Sequence, residues 1–377
     1  MKAILYVLAA LAALWTVTPA PTADEPKLPA DFIGLLPGEE VPLQVFAAST
    51  AEQPFPWGVA KIGTTDAWKT TKGKGVKVCI LDTGCDLNHP DLKDGIAMAR
   101  DFTGSQSGPS DINGHGTHCA GSVGARGGDR GGIWGVAPEC TFLIGKVLGD
   151  SGNGSTGGIA QGIDWATANG ADVISMSLGG GHAANMQAAC ERAVAAGVLV
   201  IAAAGNSGPG QNTVGYPGGY SSCVCIGATD VNDNIANFSS RGAALFVSGP
   251  GVNVRSCYPG SRYATMSGTS MATPHLAGCA ALWVAANPTL PKTQRNAAFR
   301  EAIKGTSIDL GPVGRDTAFG FGRVDLTKLI PGGPVTPPVP VPGKSFLITE
   351  ADLTPDALLR LRASYPGATL KLEFKQP

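Results

Sequence analysis

Short apolar runs alternate with helix-like segments across residues 56–328. The first run is VKVCILD at Val76–Asp82, and it is almost continuously apolar, as a strand covered on both sides of a parallel sheet is. Four later runs have the same character: Thr141–Leu148, Asp172–Leu178, Val198–Ala204 and Val224–Thr229. Their lengths and composition predict five strands of one buried sheet.

Helical patterns lie between these runs. Ile159–Asn169 is followed by Gly170, and Ala184–Ala196 is followed by Gly197. Glycine directly after a helix is a common C-terminal cap, so both segments are predicted helices. Strand, helix and strand in rotation predict an α/β fold, with a parallel β-sheet sandwiched by helices.

The N-terminus does not share this alternation. Lys2 is followed by an apolar run, Ala3–Val17, and by small residues up to Ala23. The run is too short to span a bilayer comfortably, which favours a signal peptide over residues 1–23 rather than a retained anchor. We therefore expect a secreted or periplasmic protein with no membrane attachment once the signal is removed. Residues 24–50 are polar and contain proline, and they are interpreted as a short propeptide-like segment.

The C-terminal part also differs from the central domain, which we place at residues 51–330. Residues 331–344 begin PGGPVTPPVPVPG, a composition typical of a stiff, extended linker. Residues 345–377 form a small C-terminal extension that is too short for a core of its own. Docking on the central domain, docking on another molecule and partial disorder all stay open for it.

Composition narrows the function. Only 15% of the residues are charged and the formal net charge is −1, so a nucleic-acid or anionic-membrane partner is not expected. The chain has nine cysteines, an odd number, which leaves at least one thiol unpaired. Most of them lie in apolar surroundings and are expected to be small buried hydrophobic residues. The chain has no CxxC pair with histidine partners, so the cysteines do not indicate a metal site.

Three polar segments interrupt the apolar pattern. Asp82 in ILDTG ends the first predicted strand, where catalytic groups of α/β sheets gather, although a lone aspartate there is as often a cap or turn residue. His115 in NGHGTHCAG lies at a predicted helix start and is a suitable general base. Ser270 in GTSMATPHLAG begins an apolar helix, where a serine is also a common N-cap.

His118 follows His115 by three residues and invites a metal-binding interpretation. The glutamate typical of a zinc-binding helix is absent, and no third ligand is evident. His118 is therefore predicted to be a hydrogen-bonded core histidine.

The order Asp82, His115, Ser270 is one of the known orders of a catalytic triad. The three segments resemble the active-site signatures of the subtilase family. The resemblance extends from about Gln53 to Asp325 and includes SMSLGG, AAAGNSG and FGFGRVD.

This resemblance implies a serine endopeptidase, made as a zymogen, that acts as a monomer on protein or peptide substrates. It assigns the oxyanion-binding amide to Asn206 in AAAGNSG, with the Ser270 backbone N–H as a second donor. A non-catalytic binding module on the same scaffold is the alternative, and the complete set of site residues favours the enzyme.

The resemblance also implies two backbone edges that pair with an extended substrate. One edge is Ser177, Leu178 and Gly179, and the other contains Gly152 and Gly154. A plain flexible loop remains the alternative for the two glycines of the second edge. Gly215 matches the base of the pocket for the residue before the scissile bond. Glycine there leaves the pocket deep, so we expect broad cleavage after large apolar or aromatic residues.

A structural calcium site is the one cofactor that the resemblance implies, and no catalytic metal is expected. Its oxygen ligands would be the side chains of Gln53, Asp91 and Asp129 and the carbonyl groups of Gly127, Gly131 and Ile133. A glycine-rich surface loop is the alternative, and Arg126 and Arg130 would weaken the binding of a cation.

One departure from the family concerns maturation. Residues 24–50 are too few for the compact pro-domain of secreted subtilisins. They are interpreted as a short inhibitory peptide using Phe32–Leu36, as in intracellular subtilisins, with processing near Ala51. Folding without any pro-domain is the alternative.

Overall fold

The computed structural model describes residues 32–35, 44–46, 55–127 and 131–330. The predicted signal peptide, most of the propeptide-like segment with Ala51, the linker and the C-terminal extension lie outside the described residues. Two predicted calcium ligands, Gln53 and Asp129, lie outside them as well.

A seven-stranded sheet occupies the centre of the fold, and all its neighbouring strands are parallel. In spatial order the strands are β11 (Val247–Pro250), β10 (Val224–Thr229), β9 (Leu199–Ala203), β7 (Val173–Met176), β3 (Lys77–Asp82), β5 (Thr141–Lys146) and β4 (Ile96–Asp101). The five predicted strands are all present, with ends that differ by up to two residues. The strand predicted to reach Leu148 ends at Lys146, because the N–H groups of Val147 and Leu148 turn to the carbonyl of Asp82.

Adjacent residues of β3 enter two different apolar cores. Val78 and Ile80 lie in one core, and Cys79 and Leu81 lie in the other. The first core includes α3 (His115–Gly124), α6 (Thr269–Ala286) and α7 (Arg295–Thr306), and the second includes α4 (Thr156–Ala168) and α5 (Ala184–Ala195). Both faces of the sheet are therefore covered by helices, which confirms the predicted α/β class.

The predicted helix ends are confirmed at both caps. Gly170 and Gly197 adopt left-handed φ angles of 76° and 86° just after α4 and α5. The predicted start of α4 at Ile159 is wrong, since the helix begins three residues earlier, at Thr156. Ser155 caps it by accepting the N–H of Gly158 at 3.1 Å, and the two glycines of the first turn concealed this start.

Shorter elements complete the described fold. The short helices are α1 (Trp57–Lys61), α2 (Thr64–Ala67) and α8 (Leu326–Leu329), with 3₁₀ turns at Lys93–Gly95 and Lys292–Gln294. None of the helices in the described ranges is long and apolar enough to cross a membrane. All nine cysteines are buried and free, which agrees with their predicted role as small apolar residues.

Two small antiparallel sheets flank the central one. The first consists of β6 (Asn153–Ser155), β1 (Phe32–Gly34) and β8 (Gly179–Gly180), in that spatial order. The second consists of β12 (Val254–Tyr258), β13 (Arg262–Met266) and β2 (Gln44–Phe46). Strands of two or three residues are too short for a periodic pattern, so the sequence did not predict β1 or β2 as strands.

Candidate active site

Asp82 and His115 meet where β3 ends and α3 begins. His115 Nδ1 lies 2.7 Å from Asp82 Oδ1, and each residue is 1% exposed. Because a carboxylate only accepts hydrogen bonds, Nδ1 carries the proton and the ring tautomer is fixed. The approach requires a glycine next to His115: a Cβ added to Gly116 would lie 2.2 Å from the carbonyl oxygen of Gly84.

A buried aspartate that the sequence did not single out holds these two elements together. Asp111 accepts the Thr83 hydroxyl at 2.9 Å with one carboxylate oxygen. The other oxygen accepts both the N–H and the hydroxyl of Thr117, at 2.8 and 2.6 Å. An acidic residue four positions before His115 was the signal available in the sequence, although it resembles an ordinary turn residue.

Ser270 is the second residue of α6 and is fully buried. Its hydroxyl donates to the carbonyl of Ser177 at 3.2 Å, and the Ser177 hydroxyl donates to the carbonyl of Ser270 at 2.8 Å. Cys119 Sγ lies 3.9 Å from His115 Nδ1 and 3.7 Å from the Ser270 carbonyl. The structure thus brings the three predicted triad residues into one buried cluster.

Asn206 follows β9 and approaches the same cluster. Its Oδ1 accepts the N–H and the hydroxyl of Thr269, at 3.0 and 2.9 Å. The Nδ2 atom is buried and has no hydrogen-bond partner among the described residues. Thr269, the residue before Ser270, thus fixes an amide whose Nδ2 donor is unused within the described part of the chain. The sequence did not predict that Thr269 holds the Asn206 amide, because a threonine at the start of a helix is usually interpreted as an N-cap.

The two predicted substrate edges face each other across β1. Gly34 pairs with Gly179 on one side and with Asn153 on the other, both antiparallel. Ile33 pairs with Gly154 and is fully buried.

Glycines let the edges come this close. The N–H of Leu35 donates to the carbonyl of Gly152 at 3.0 Å, and Gly152 has a left-handed φ of 84°. A Cβ on Gly154 would lie 2.2 Å from the Val147 carbonyl oxygen. On the opposite edge, the Leu178 side chain is fully buried in the second core and anchors the segment. The separation of the edges is therefore that of one extended chain.

Gly215 lies beside the β8 edge. A Cβ added to it would be 3.6 Å from the carbonyl oxygen of Gly180, an ordinary contact distance. The next residue, Tyr216, exchanges two backbone hydrogen bonds with Gly180, at 3.0 and 3.1 Å. The rings of Tyr216 and Tyr220 are 4.8 Å apart. The predicted pocket base is thus next to the edge that would bind substrate.

The predicted calcium loop contains one buried carboxylate. Asp91 Oδ2 accepts the N–H of Ile133 and the hydroxyl of Tyr263, each at 2.9 Å. A Cβ on Gly127 would lie 1.7 Å from Asp91 Oδ1, so the loop backbone is pressed against this carboxylate. Both donors are neutral, and a buried carboxylate bonded to neutral donors suits a hard cation. Gly131, with a φ of 81°, has open space around it.

His118 has a different environment from His115. Its Nε2 lies 3.0 Å from the carbonyl oxygen of Val254, and the residue is fully buried. Burial and, after it, the nearby His115 together lower its pKa to about 3, so the ring is neutral. The prediction of a hydrogen-bonded core histidine is confirmed.

The chain is similar to known proteins over about three quarters of its length. Residues 73–322 match the model of the subtilase family. The chain is 44% identical to an alkaline protease of Alkalihalobacillus alcalophilus over 279 residues, which are 74% of this chain and 70% of that protein. It is 45% identical to Subtilisin Savinase of Lederbergia lenta over 275 residues, 72% of this chain and 97% of that protein. An intracellular serine protease of Paenibacillus polymyxa is 43% identical over 250 residues, 64% of this chain and 76% of that protein.

Proposed function

The chain belongs to the subtilase family and is a serine endopeptidase of the subtilisin type, and we propose that Asp82, His115 and Ser270 are its triad. The observation that carries the proposal is the buried Asp82–His115 hydrogen bond of 2.7 Å in one cluster with Ser270. Burying a histidine and a carboxylate costs desolvation free energy, and apolar residues of similar size would stabilise the packing better. The pair next to a buried serine is therefore better explained by catalysis than by packing.

The proposed roles follow from the chemistry of the three residue types. His115 Nε2 takes the proton of Ser270 Oγ as the oxygen attacks a peptide carbonyl, and later gives that proton to the leaving amine. Asp82 stabilises the imidazolium that forms between these steps. Asn206 Nδ2 and the Ser270 N–H donate to the oxyanion. The Ser270 N–H is available because the first N–H groups of a helix have no intrahelical acceptor. A water molecule then releases the acyl group by the same route.

Labelling with a phosphonylating reagent tests this assignment. We expect one covalent adduct per molecule of mature wild-type protein, on the Ser270 peptide, and none in Ser270→Ala. Ser267→Ala is the matched control, since this serine lies just before α6 and bonds to the N–H of Asn253. Equal labelling of Ser270→Ala would overturn the assignment.

We propose that cleavage is broad, with a preference for large apolar or aromatic residues before the scissile bond. The support is the position of Gly215, which adds no side chain beside the Gly180 edge. Chromogenic peptides that differ only at this residue test the preference. Gly215→Val should lower kcat/KM for Phe relative to Ala, and a preference of the wild type for Arg or Asp would contradict the proposal.

The segment around Phe32–Leu36 is proposed to inhibit the precursor. The support is β1, which pairs with both predicted substrate edges and so takes the place of a bound peptide. Ile33→Asp would put a charge into the apolar core that Ile33 enters, and should release the segment. We expect higher activity of the unprocessed precursor, while Val313→Asp, at a 99% exposed valine, should leave it unchanged. Equal activity of the two variants would exclude inhibition by this segment.

A structural calcium ion is proposed at the Asp91 loop. The support is the buried carboxylate next to Gly127 and Ile133, which accepts hydrogen bonds from the neutral Ile133 N–H and Tyr263 hydroxyl. The ion would stabilise the loop without taking part in the reaction. Chelation should lower the melting temperature of the wild type and have no effect on Asp91→Asn. A wild-type melting temperature that is independent of calcium would exclude the site.

Export and a monomeric state complete the proposal. The apolar run before Ala23 supports a cleaved signal peptide. Protein recovered outside the producing cell should begin at residue 24 or later, and light scattering should give the mass of one mature chain. An intact N-terminus or a dimer mass would contradict these two points.

A further inference from the structure

Lys146 is a cation in a place where cations are rare. It is the last residue of β5, lies in the apolar run TFLIGKVL, and its side chain is fully buried. Its Nζ donates to the carbonyl of Thr83 at 2.5 Å and forms an ion pair with Asp150 at 3.0 Å. Burying an ammonium group costs desolvation free energy, so an apolar residue would stabilise this position better if its role were only structural.

One end of the Lys146 contact lies at the triad. Thr83 directly follows Asp82, and Asp82 is the residue paired with Lys146 in the register of β3 and β5. The Asp82 carbonyl accepts the N–H groups of the two residues after Lys146, at 2.9 and 3.1 Å. The Lys146 side chain and the backbone directly after β5 therefore both hold the turn that presents the Asp82 carboxylate.

The other end lies on a substrate edge. Asp150 belongs to the loop that leads into β6, and this loop is closed by a hydrogen bond of 2.8 Å from Gly149 N–H to the Asn153 carbonyl. Asp150 also accepts the Ser107 hydroxyl at 2.7 Å. The Ser107 hydrogen bond and the Lys146 contact hold the pKa of this carboxyl below its ordinary value, so it is charged when Lys146 is.

We propose that Lys146 is a positioning residue that connects the Asp82 turn to the substrate-binding loop at Asp150, and that its charge favours the neutral form of His115. This inference rests on the proposed triad. Other charged or titratable groups also act on the Asp82–His115 pair. Cys85, His118 and Cys119 interact electrostatically with Asp82 or His115, and Asp111 accepts the hydroxyls of Thr83 and Thr117 beside them.

The charge effect has a definite sign. Removing a buried cation near the pair makes a proton on His115 more favourable, so the pKa of the imidazolium rises. Lys146→Met should therefore move the acidic limb of the kcat/KM profile up by about half a pH unit and lower kcat/KM about 10- to 100-fold. Asp150→Asn leaves the cation without its partner and should move the limb down by less, because Asp150 is 40% exposed.

A spectroscopic readout separates this role from general damage. In a Ser270→Ala background, the proton shared by His115 and Asp82 can be followed by NMR as the pH is changed. Its titration midpoint should rise in Lys146→Met, fall slightly in Asp150→Asn and stay at the wild-type value in Lys146→Arg. Lys77→Met is the matched control, because Lys77 is at the opposite, exposed end of β3 and donates to the Asn169 carbonyl.

The outcomes are distinguishable from failure of the triad itself. Wild type that is not labelled at Ser270 would overturn the proposed function, whatever Lys146 does. Labelled wild type, with Lys146→Met showing the wild-type NMR midpoint and acidic limb, would overturn the role of Lys146. If Lys146→Met does not fold, opposite shifts in Asp150→Asn and in the uncompensated Lys146→Gln variant decide the question, and shifts of the same sign contradict the proposal.

Discussion

Two histidines on α3 lie in different environments, although residues three apart share roughly one face of a helix. His115 is bonded to the Asp82 carboxylate at the end of β3. His118 is bonded to the uncharged carbonyl of Val254 in β12. A carboxylate stabilises a proton on imidazole, whereas burial beside a carbonyl disfavours it. The partner, and not the depth of burial, therefore separates the histidine suited to chemistry from the one suited to packing.

Among these changes, Asp82→Asn should have the largest effect, a loss of kcat. The amide keeps the shape of the carboxylate but no longer fixes the tautomer or stabilises the imidazolium, so kcat should fall about 10⁴-fold. Steady-state kinetics on a chromogenic peptide measures the loss, and calorimetry in a Ser270→Ala background measures stability without self-digestion.

His118→Gln is the matched change at the second histidine of α3, since its amide can still donate to Val254. It should keep kcat within about threefold of the wild type. Similar losses of kcat in the two variants would mean that the environments of His115 and His118 are not functionally distinct.

Gly121→Ala tests the contact of α3 with β12 and should have an effect of intermediate size, on stability. A Cβ there would lie 2.4 Å from the Ser256 hydroxyl and 2.8 Å from the Cys257 N–H, so α3 would have to move away from β12. Overpacking of this kind costs about 1–3 kcal/mol of unfolding free energy. Chemical denaturation measures it, and an unchanged midpoint would show that the helix contact is not tight.

Gly305→Ala provides its control. Gly305 is also in a helix, α7, but has no atom within 4 Å of an added Cβ. Alanine should stabilise this position by about 0.5–1 kcal/mol through helix propensity alone. Opposite signs at the two glycines would assign the Gly121 effect to the contact with β12.

The sequence predicted the residues of these sites better than the contacts that hold them. Asp82 and His115 stand in glycine-flanked segments next to apolar runs, so Asp82 at a strand end and His115 at a helix start could both be predicted. Asp111 and Thr269 were not, because their roles depend on backbone groups distant in sequence, which no local spacing records.

The same reason explains why β1 and β2 were missed. β1 and β2 are three residues each and exist only through pairing with distant strands. Lys146 did leave a signal, a cation inside an apolar run, but its partners Thr83 and Asp150 become visible only when β3 and β5 lie side by side.

The pH dependence of stability sharpens the comparison with the smallest effect. Burial lowers the pKa of His118 to about 3, against an ordinary value of about 6.5 in an unfolded chain. Between these values the unfolded state binds a proton that the folded state does not, so stability is complete above about pH 6.5 and falls as the pH is lowered. The slope is at most about 1.4 kcal/mol per pH unit for this residue. His275, with a pKa lowered to about 4 by burial, acts in the same direction.

In the Ser270→Ala background, His118→Gln should therefore lose less unfolding free energy than its parent between pH 6.5 and 5. His182→Gln, at an exposed histidine, should keep the parent slope. If His118→Gln keeps it as well, His118 is not the neutral packing residue of α3.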